Sequence, residues 1–313
     1  MEWSTPSMCW LWRQLSNDSR LYTEMVVTGA LIHGRKERFL KRYQGTAPLA
    51  LQLGGSNPSE LAQSVRLGQE AGFDEVNLNV GCPSDRVQNG MIGAILMRHP
   101  ELVKDCLSAM LEVADVPITI KHRLGVDELD SYEFARDFVG TVAQSGVKVF
   151  IVHARKALLQ GLSPKENRDI PPLRYDWVYQ LKREFPELTI VLNGGISDLD
   201  QCQQVLQQVD GVMLGRAAYH NPMILSEVDQ RLFGSKRTPM SAQQAVERFM
   251  AFIAEQPEPI KYHAKHLLGF FQGQPGGKQY RRHLSENMHR PDANVQVIQQ
   301  ALDRVINFNK RQA

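Results

Sequence analysis

Six short runs rich in β-branched and aliphatic residues end in groups equipped for chemistry. In chain order the ends are Gln52; Asn77-Leu78-Asn79-Val80-Gly81-Cys82-Pro83-Ser84; Lys121-His122-Arg123; His153-Ala154-Arg155; Asn193-Gly194-Gly195; and Gly215-Arg216. The last two expose backbone N–H groups, and with Arg216 as a charge partner they suit a phosphorylated cofactor. Lys121, Arg123 and His153, on adjacent strand ends, make a cationic cup that matches anionic phosphate and electron-rich carbonyl oxygens. Cys82 lies in a Gly-Cys-Pro loop just past a strand end, which turns its thiol toward the same mouth instead of the core. Thiols are by default protonated at neutral pH, and no patterned His and Asn accompany this one to make it a nucleophile. Its chemical reading is an acid; its plain reading is a structural loop cysteine. No G-x-G-x-x-G follows an early strand and no G-x-x-x-x-G-K-[ST] occurs, which argues against a Rossmann-held dinucleotide and a P-loop nucleotide.

Strands alternating with helical segments must carry these ends. The strands read Leu21 to Val27, Pro48 to Gly55, Glu75 to Gly81, Ile118 to Arg123, Val149 to Ala154, Thr189 to Gly194 and Gly211 to Arg216. Between them, Pro100 opens a helix with Val103, Cys106, Leu107 and Met110 on one face, and Ser197-Asp198 caps another with Leu199, Cys202 and Val205 in a stripe. Cys106 and Cys202 are thus small core residues. Regular β-then-α units suit the α/β class and a (β/α)8 TIM-type barrel better than an open Rossmann sheet. Met1 to Ser16 reads as helical, so seven strands are found where eight are expected and the first strand is missing from the front; either an upstream in-frame extension, if the gene contains one, supplies it, or the barrel closes imperfectly. After Leu225 the pattern is helical only: Ser241 to Glu255, Ile260 to Gly269 continuing past Gly276-Gly277, and Asn294 to Phe308. The expected division is a barrel at 1–225, a linker at 226–240 and a helical domain at 241–313.

Composition bounds the function. The 313 residues are 42% hydrophobic and 22% charged, as a folded chain requires, and the apolar runs are far too short for a membrane span. Scattered cysteines at 9, 82, 106 and 202 form no C-x-x-C pair, and no leader pattern opens the chain, so a reducing, cytoplasmic setting without metal is expected. Net charge is +2, unevenly placed: residues 1–259 hold 27 Lys and Arg against 31 Asp and Glu, residues 260–313 hold 9 against 3. A basic tail on an acidic body is the footprint of a module that meets a polyanion, although a charge run also serves simply as a solvated face.

Several segments together resemble the tRNA-dihydrouridine synthases: Leu-Tyr-Thr-Glu-Met-Val from Leu21, Ala-Leu-Gln-Leu-Gly-Gly from Ala50, Val-Asn-Leu-Asn-Val-Gly-Cys-Pro-Ser from Val76, Ile-Lys-His-Arg-Leu-Gly from Ile120, Val-His-Ala-Arg from Val152 and Leu-Asn-Gly-Gly-Ile from Leu192. Lys165-Glu166-Asn167-Arg168, the stretch Leu268 to Gly276 and Arg281-Arg282-His283-Leu284-Ser285 resemble the A subfamily, which acts on D-loop uridines at tRNA positions 20 and 20a. The resemblance implies an FMN-containing barrel, NADPH as reductant and a helical tRNA-binding domain. It also implies that Gln52, Lys121, His153, Asn193, Gly194, Gly195, Gly215 and Arg216 hold FMN, and that Cys82 is the proton donor. By the same resemblance Asn79 and Arg123 touch the uracil or its nucleotide, while Lys165, Arg168, Arg281 and Arg282 contact tRNA. The chain departs from the family at its front, where members carry a strand leading to an Ala-Pro-Met segment against the flavin and this chain reads Met1-Glu2-Trp3-Ser4-Thr5. Two rivals stand beside this reading: a flavin oxidoreductase acting on a free pyrimidine, which needs no basic tail, and a tRNA-binding protein inactive through loss of the first strand.

Overall fold

The computed structural model describes residues 2–84 and 90–310, and the chain packs into two compact units, Arg20–Gly215 and Met1–Ser19 with Arg216–Ala313. The first holds seven parallel strands: β1 (Leu21–Val27), β2 (Leu49–Gly54), β3 (Glu75–Val80), β4 (Ile118–Arg123), β5 (Val149–His153), β6 (Thr189–Asn193) and β7 (Gly211–Met213). They lie side by side in chain order with a helix in most crossovers, the curled TIM-type α/β arrangement expected. Among the described residues no eighth strand joins β1 and β7, in agreement with the count made on the sequence.

Two strands are fixed near their start by a side chain. Asp74, just before β3, accepts the Leu49 N–H at 2.8 Å, and Asp210, just before β7, accepts the Ile190 N–H at 2.8 Å. Three of the helices begin at side-chain caps, Asn57 before Pro58–Glu70, Ser131 before Tyr132–Ala143 and Asp198 before Leu199–Val205, each accepting an N–H of the first turn. Helix apolar faces cover the sheet: Leu61 and Val65, then Val103, Leu107 and Met110, then Phe138 and Val142 are all buried. Cys106 and Cys202 are buried as expected, and burial pushes the Cys106 thiol up to about 12.

In the other unit the first helix, Pro6–Leu15, buries Met8, Leu11 and Leu15, and Trp10 stacks on Phe252 with ring centroids 4.2 Å apart. This helix and residues 216–225 therefore group with the C-terminal helices, where the sequence reading put them with the barrel. Nor is the segment 226–240 a bare linker. It holds the helix Val228–Phe233, and Asp229 within it is 2% exposed. The Asp229 carboxylate accepts the Ser16 hydroxyl, the Asn17 N–H at 2.7 Å and the Asp18 N–H at 3.3 Å, while Arg13 donates to the carbonyls of Ser16, Asn17 and Ser19. A turn of four residues thus has its donors and acceptors met from both sides, which no local pattern encodes.

Asp229→Ala strands those donors together with Arg237, whose Nη1 lies 3.4 Å from the carboxylate. The expected loss is roughly 3–5 kcal/mol of stability in urea unfolding, as for other broken buried charge pairs. An unchanged midpoint would show that the turn holds without its anchor.

Candidate functional site

Register places the polar strand residues in rows. Gln52, Asn77 and Thr119 are direct neighbours across β2, β3 and β4; Asn79 and Lys121 follow one step up; Arg123, His153 and Asn193 form the top row across β4, β5 and β6. Period-two alternation sends these residues to one face of the sheet. His122 lies on the other face, with its ring 5.1 Å from that of Phe138 and 5.8 Å from that of Phe150, and burial lowers its pKa to about 4.

The rows are joined by hydrogen bonds. Thr119 Oγ1 donates to Glu75 at 2.6 Å, Asn77 Nδ2 donates to Thr119 at 2.8 Å, Gln52 Nε2 donates to Asn77 at 2.9 Å, and Asn79 Nδ2 donates to Gln52 at 2.8 Å. Asn79 Oδ1 then accepts the N–H groups of Gly81 at 3.1 Å and Cys82 at 3.0 Å. From the other side the Cys82 carbonyl accepts the Ala94 N–H at 2.8 Å, and a Cβ on Gly93 would stand 2.3 Å from that oxygen. The backbone around Cys82 is clamped, and its side chain is half-buried.

Of the cationic cup, Lys121 is the member left over. Its ammonium makes no hydrogen bond or ion pair among the described residues, and burial, with Arg123 nearby, lowers its pKa to about 8. Arg123 is 4% exposed and already engaged: Nε donates to the Gly81 carbonyl at 2.9 Å, and Nη1 to the carbonyls of Lys156 at 2.9 Å and Asn167 at 3.0 Å. Its pKa falls to about 10, chiefly through burial. Asn167, fully buried, in turn fastens its loop through Leu158, Leu162 and Ser163.

At the far side of the mouth, Asn193 Nδ2 donates to the Met213 carbonyl at 2.8 Å, tying β6 to β7. Gly194 and Gly195 have φ of 110° and 77°, and Tyr175 donates its hydroxyl to the Gly194 carbonyl. A side chain at Gly194 would approach His153 Nε2 to 3.2 Å, whereas a Cβ on Gly215 would meet nothing within 4 Å. Bare backbone facing open space at Gly215 is what close approach of an anionic group needs. Arg216 follows Gly215 directly and opens the helix Arg216–His220.

A family model described as dihydrouridine synthase matches residues 1–307. The chain belongs to the dihydrouridine synthase family. It is 50% identical over 309 residues to the tRNA-dihydrouridine(20/20a) synthase of Vibrio cholerae, an alignment covering 97% of this chain and 94% of the relative. To the enzymes of the same name from Pseudomonas aeruginosa and Shigella flexneri it is 53% identical over 306 residues and 50% over 309, covering 97% of this chain in each case and 92% and 91% of those relatives.

For this family member, the structure gathers Arg123, His153, Asn193, Gly194 and Gly195 at the C-terminal ends of the strands with Cys82 just past β3, and places Asn79 and Lys121 one row and Gln52 two rows below the top on the same face. Lys165 is exposed and Arg168 half-buried on the loop after β5. Arg281 and Arg282 lie on the helix Gly277–Asn287; Arg282 is 76% exposed and pairs with Glu286 at 2.7 Å, while one Arg281 nitrogen, Nη1, is buried without a partner among the described residues. Sequence reasoning assigned no role to Glu75, Thr119, Asn167 or Tyr175. The available signal was polar residues at every second position of β3, since Glu75, Asn77 and Asn79 must share a face.

Two outcomes follow for the isolated, ligand-free chain. Gly194→Ala forces a side chain into a left-handed backbone and should lower stability by roughly 1–3 kcal/mol in thermal unfolding; an unshifted melting temperature would mean that the loop relaxes freely. Lys121→Met should raise the melting temperature at pH 7, because a pKa lowered to about 8 makes the charged amine a burden on the folded state. The unfolded chain holds more protons between that value and the ordinary 10.5, so the parental protein gains stability with rising pH across this window and the advantage of Lys121→Met fades there. A variant that melts lower at pH 7 would show that the ammonium is paired.

Proposed function

We propose that this chain is a flavin-dependent tRNA-dihydrouridine synthase that reduces D-loop uridine at positions 20 and 20a, with FMN as cofactor and NADPH as reductant, in the cytoplasm. The observation that carries the reading is the half-buried Cys82, clamped at the mouth of a family barrel near the half-buried Lys121, whose ammonium has no partner among the described residues. The donor set fits a flavin mononucleotide: backbone at Gly194, Gly195 and Gly215 for the phosphate, with Arg216 next along the chain, and Gln52, Lys121, His153 and Asn193 toward the ring and its side chain. When bound, FMN reduced by NADPH supplies the hydride that adds at C6 of the uracil.

The protein's own residues do the rest. Cys82 gives its thiol proton to C5 as the C5–C6 double bond becomes single, so hydride and proton together make 5,6-dihydrouridine. Asn79 presents an N–H toward the base, because its oxygen is taken by Gly81 and Cys82. Arg123 contributes by holding the loops around the base, with three carbonyls already on its guanidinium. The uridine must leave its stack to enter such a mouth, which favours a loop nucleotide. Lys165 and Arg168 on one unit, and Lys278, Arg281 and Arg282 on the other, neutralise phosphates and position the RNA.

Purified protein is expected to show a flavin absorption spectrum, and protein that stays colourless after added FMN would overturn the reading. Cys82→Ala should keep NADPH-driven flavin reduction and lose reduction of tRNA uridine; uridine reduction at the parental rate would remove Cys82 as the acid. Replacing Arg281 and Arg282 by Ala should raise the KM for tRNA and lower the salt slope of binding by about one unit per lost contact. Equal affinity at low and high salt would place the RNA elsewhere.

A further inference from the structure

The buried polar rows have a direction, and it is imposed from both ends. Glu75 is 3% exposed, ion-paired to Arg20 and hydrogen-bonded by Tyr22 at 2.9 Å. An ionised carboxylate only accepts, so the Thr119 hydroxyl must donate to it and accept from Asn77. At the other end the N–H groups of Gly81 and Cys82 only donate, so Asn79 must present Oδ1 to them and turn its amide nitrogen back toward Gln52. Both requirements set the same sense on Asn77 and Gln52, and Asn77 and Thr119 are 0% and 1% exposed, shielded from bulk solvent.

We infer that Glu75, Thr119 and Asn77 are positioning residues for the mouth: through a one-way hydrogen-bond relay they fix the side-chain amides of Gln52 and Asn79, and with them the Cys82 loop. None of the three touches the reacting atoms. Reversal of either amide would put like atoms face to face, two donors or two acceptors, at a buried joint, a state that costs a hydrogen bond and leaves a polar group unpaired. Asn79 consequently meets the mouth with an N–H and no free acceptor, which suits the carbonyl oxygens of uracil and opposes an amino group in the same place. The inference rests on the function proposed above and concerns how its site is held.

Thr119→Val is the direct test, because it keeps the shape and removes both links. The expected result is a fall in kcat for uridine reduction on the order of 10²-fold with the KM for tRNA unchanged, as a misplaced acid and base edge would give, restored by Thr119→Ser. The Gln52 and Asn79 side-chain amide resonances should shift in Thr119→Val and return in Thr119→Ser. A merely structural role would lower the melting temperature and leave both kcat and those resonances at parental values, and that result overturns the inference. If Thr119→Val does not fold, amide exchange in the unmutated chain decides: slow exchange of the Asn77 side-chain protons supports the relay, and exchange at free-amide rates overturns it. If the unmutated chain reduces no uridine, the functional reading falls, and the amide resonances still decide the relay.

Discussion

A polar side chain inside a parallel sheet has to find its partner in another side chain, because the ladder has already consumed the backbone groups around it. This constraint governs the interior of the strand unit. Glu75, Thr119, Asn77, Gln52 and Asn79 form a chain of single bonds that begins at a carboxylate charge-compensated by Arg20 and ends on the backbone of the Cys82 loop. Each member is satisfied only if its neighbours keep their orientation, so the network is costly to break anywhere and leaves a single arrangement at the mouth. An apolar interior would pack as well and would not orient an amide.

The cations divide their work in the same spirit. Arg123 carries a forked set of donors, and the structure uses them on three carbonyls from two separate loops, a task for which a planar guanidinium is suited and an ammonium is not. Lys121, one row below and half-buried, has no hydrogen-bond or ion-pair partner among the described residues, and desolvation lowers its pKa to about 8.

In the helical unit the buried partners are histidines. His266 accepts or donates at 2.7 Å to Thr5 and His263 at 2.7 Å to Ser7, fastening the start of the first helix, and burial lowers the His266 pKa to about 3. Asp229 fastens its end. The first helix is thus held at both termini by residues more than two hundred positions away.

Strand and helix identity was legible in the sequence because both depend on local periodicity and caps: all seven strands match within a few residues at their ends, and Asn57, Ser131, Asp198 and Ser241 start helices by a reach of two or three residues. So were the ends of the strands as the place for chemistry, since parallel βα units put their loops there. Tertiary structure alone decided three things. It joined the first helix to the C-terminal helices, through Trp10 on Phe252 and the two histidines, because contacts of such separation leave no periodic trace. It turned Arg123 from a free cation into a clasp, because the carbonyls it holds come from loops with no sequence signature. And it chose the direction of the amides between Glu75 and Cys82, because donor sense belongs to the whole chain of partners and to no single residue within it.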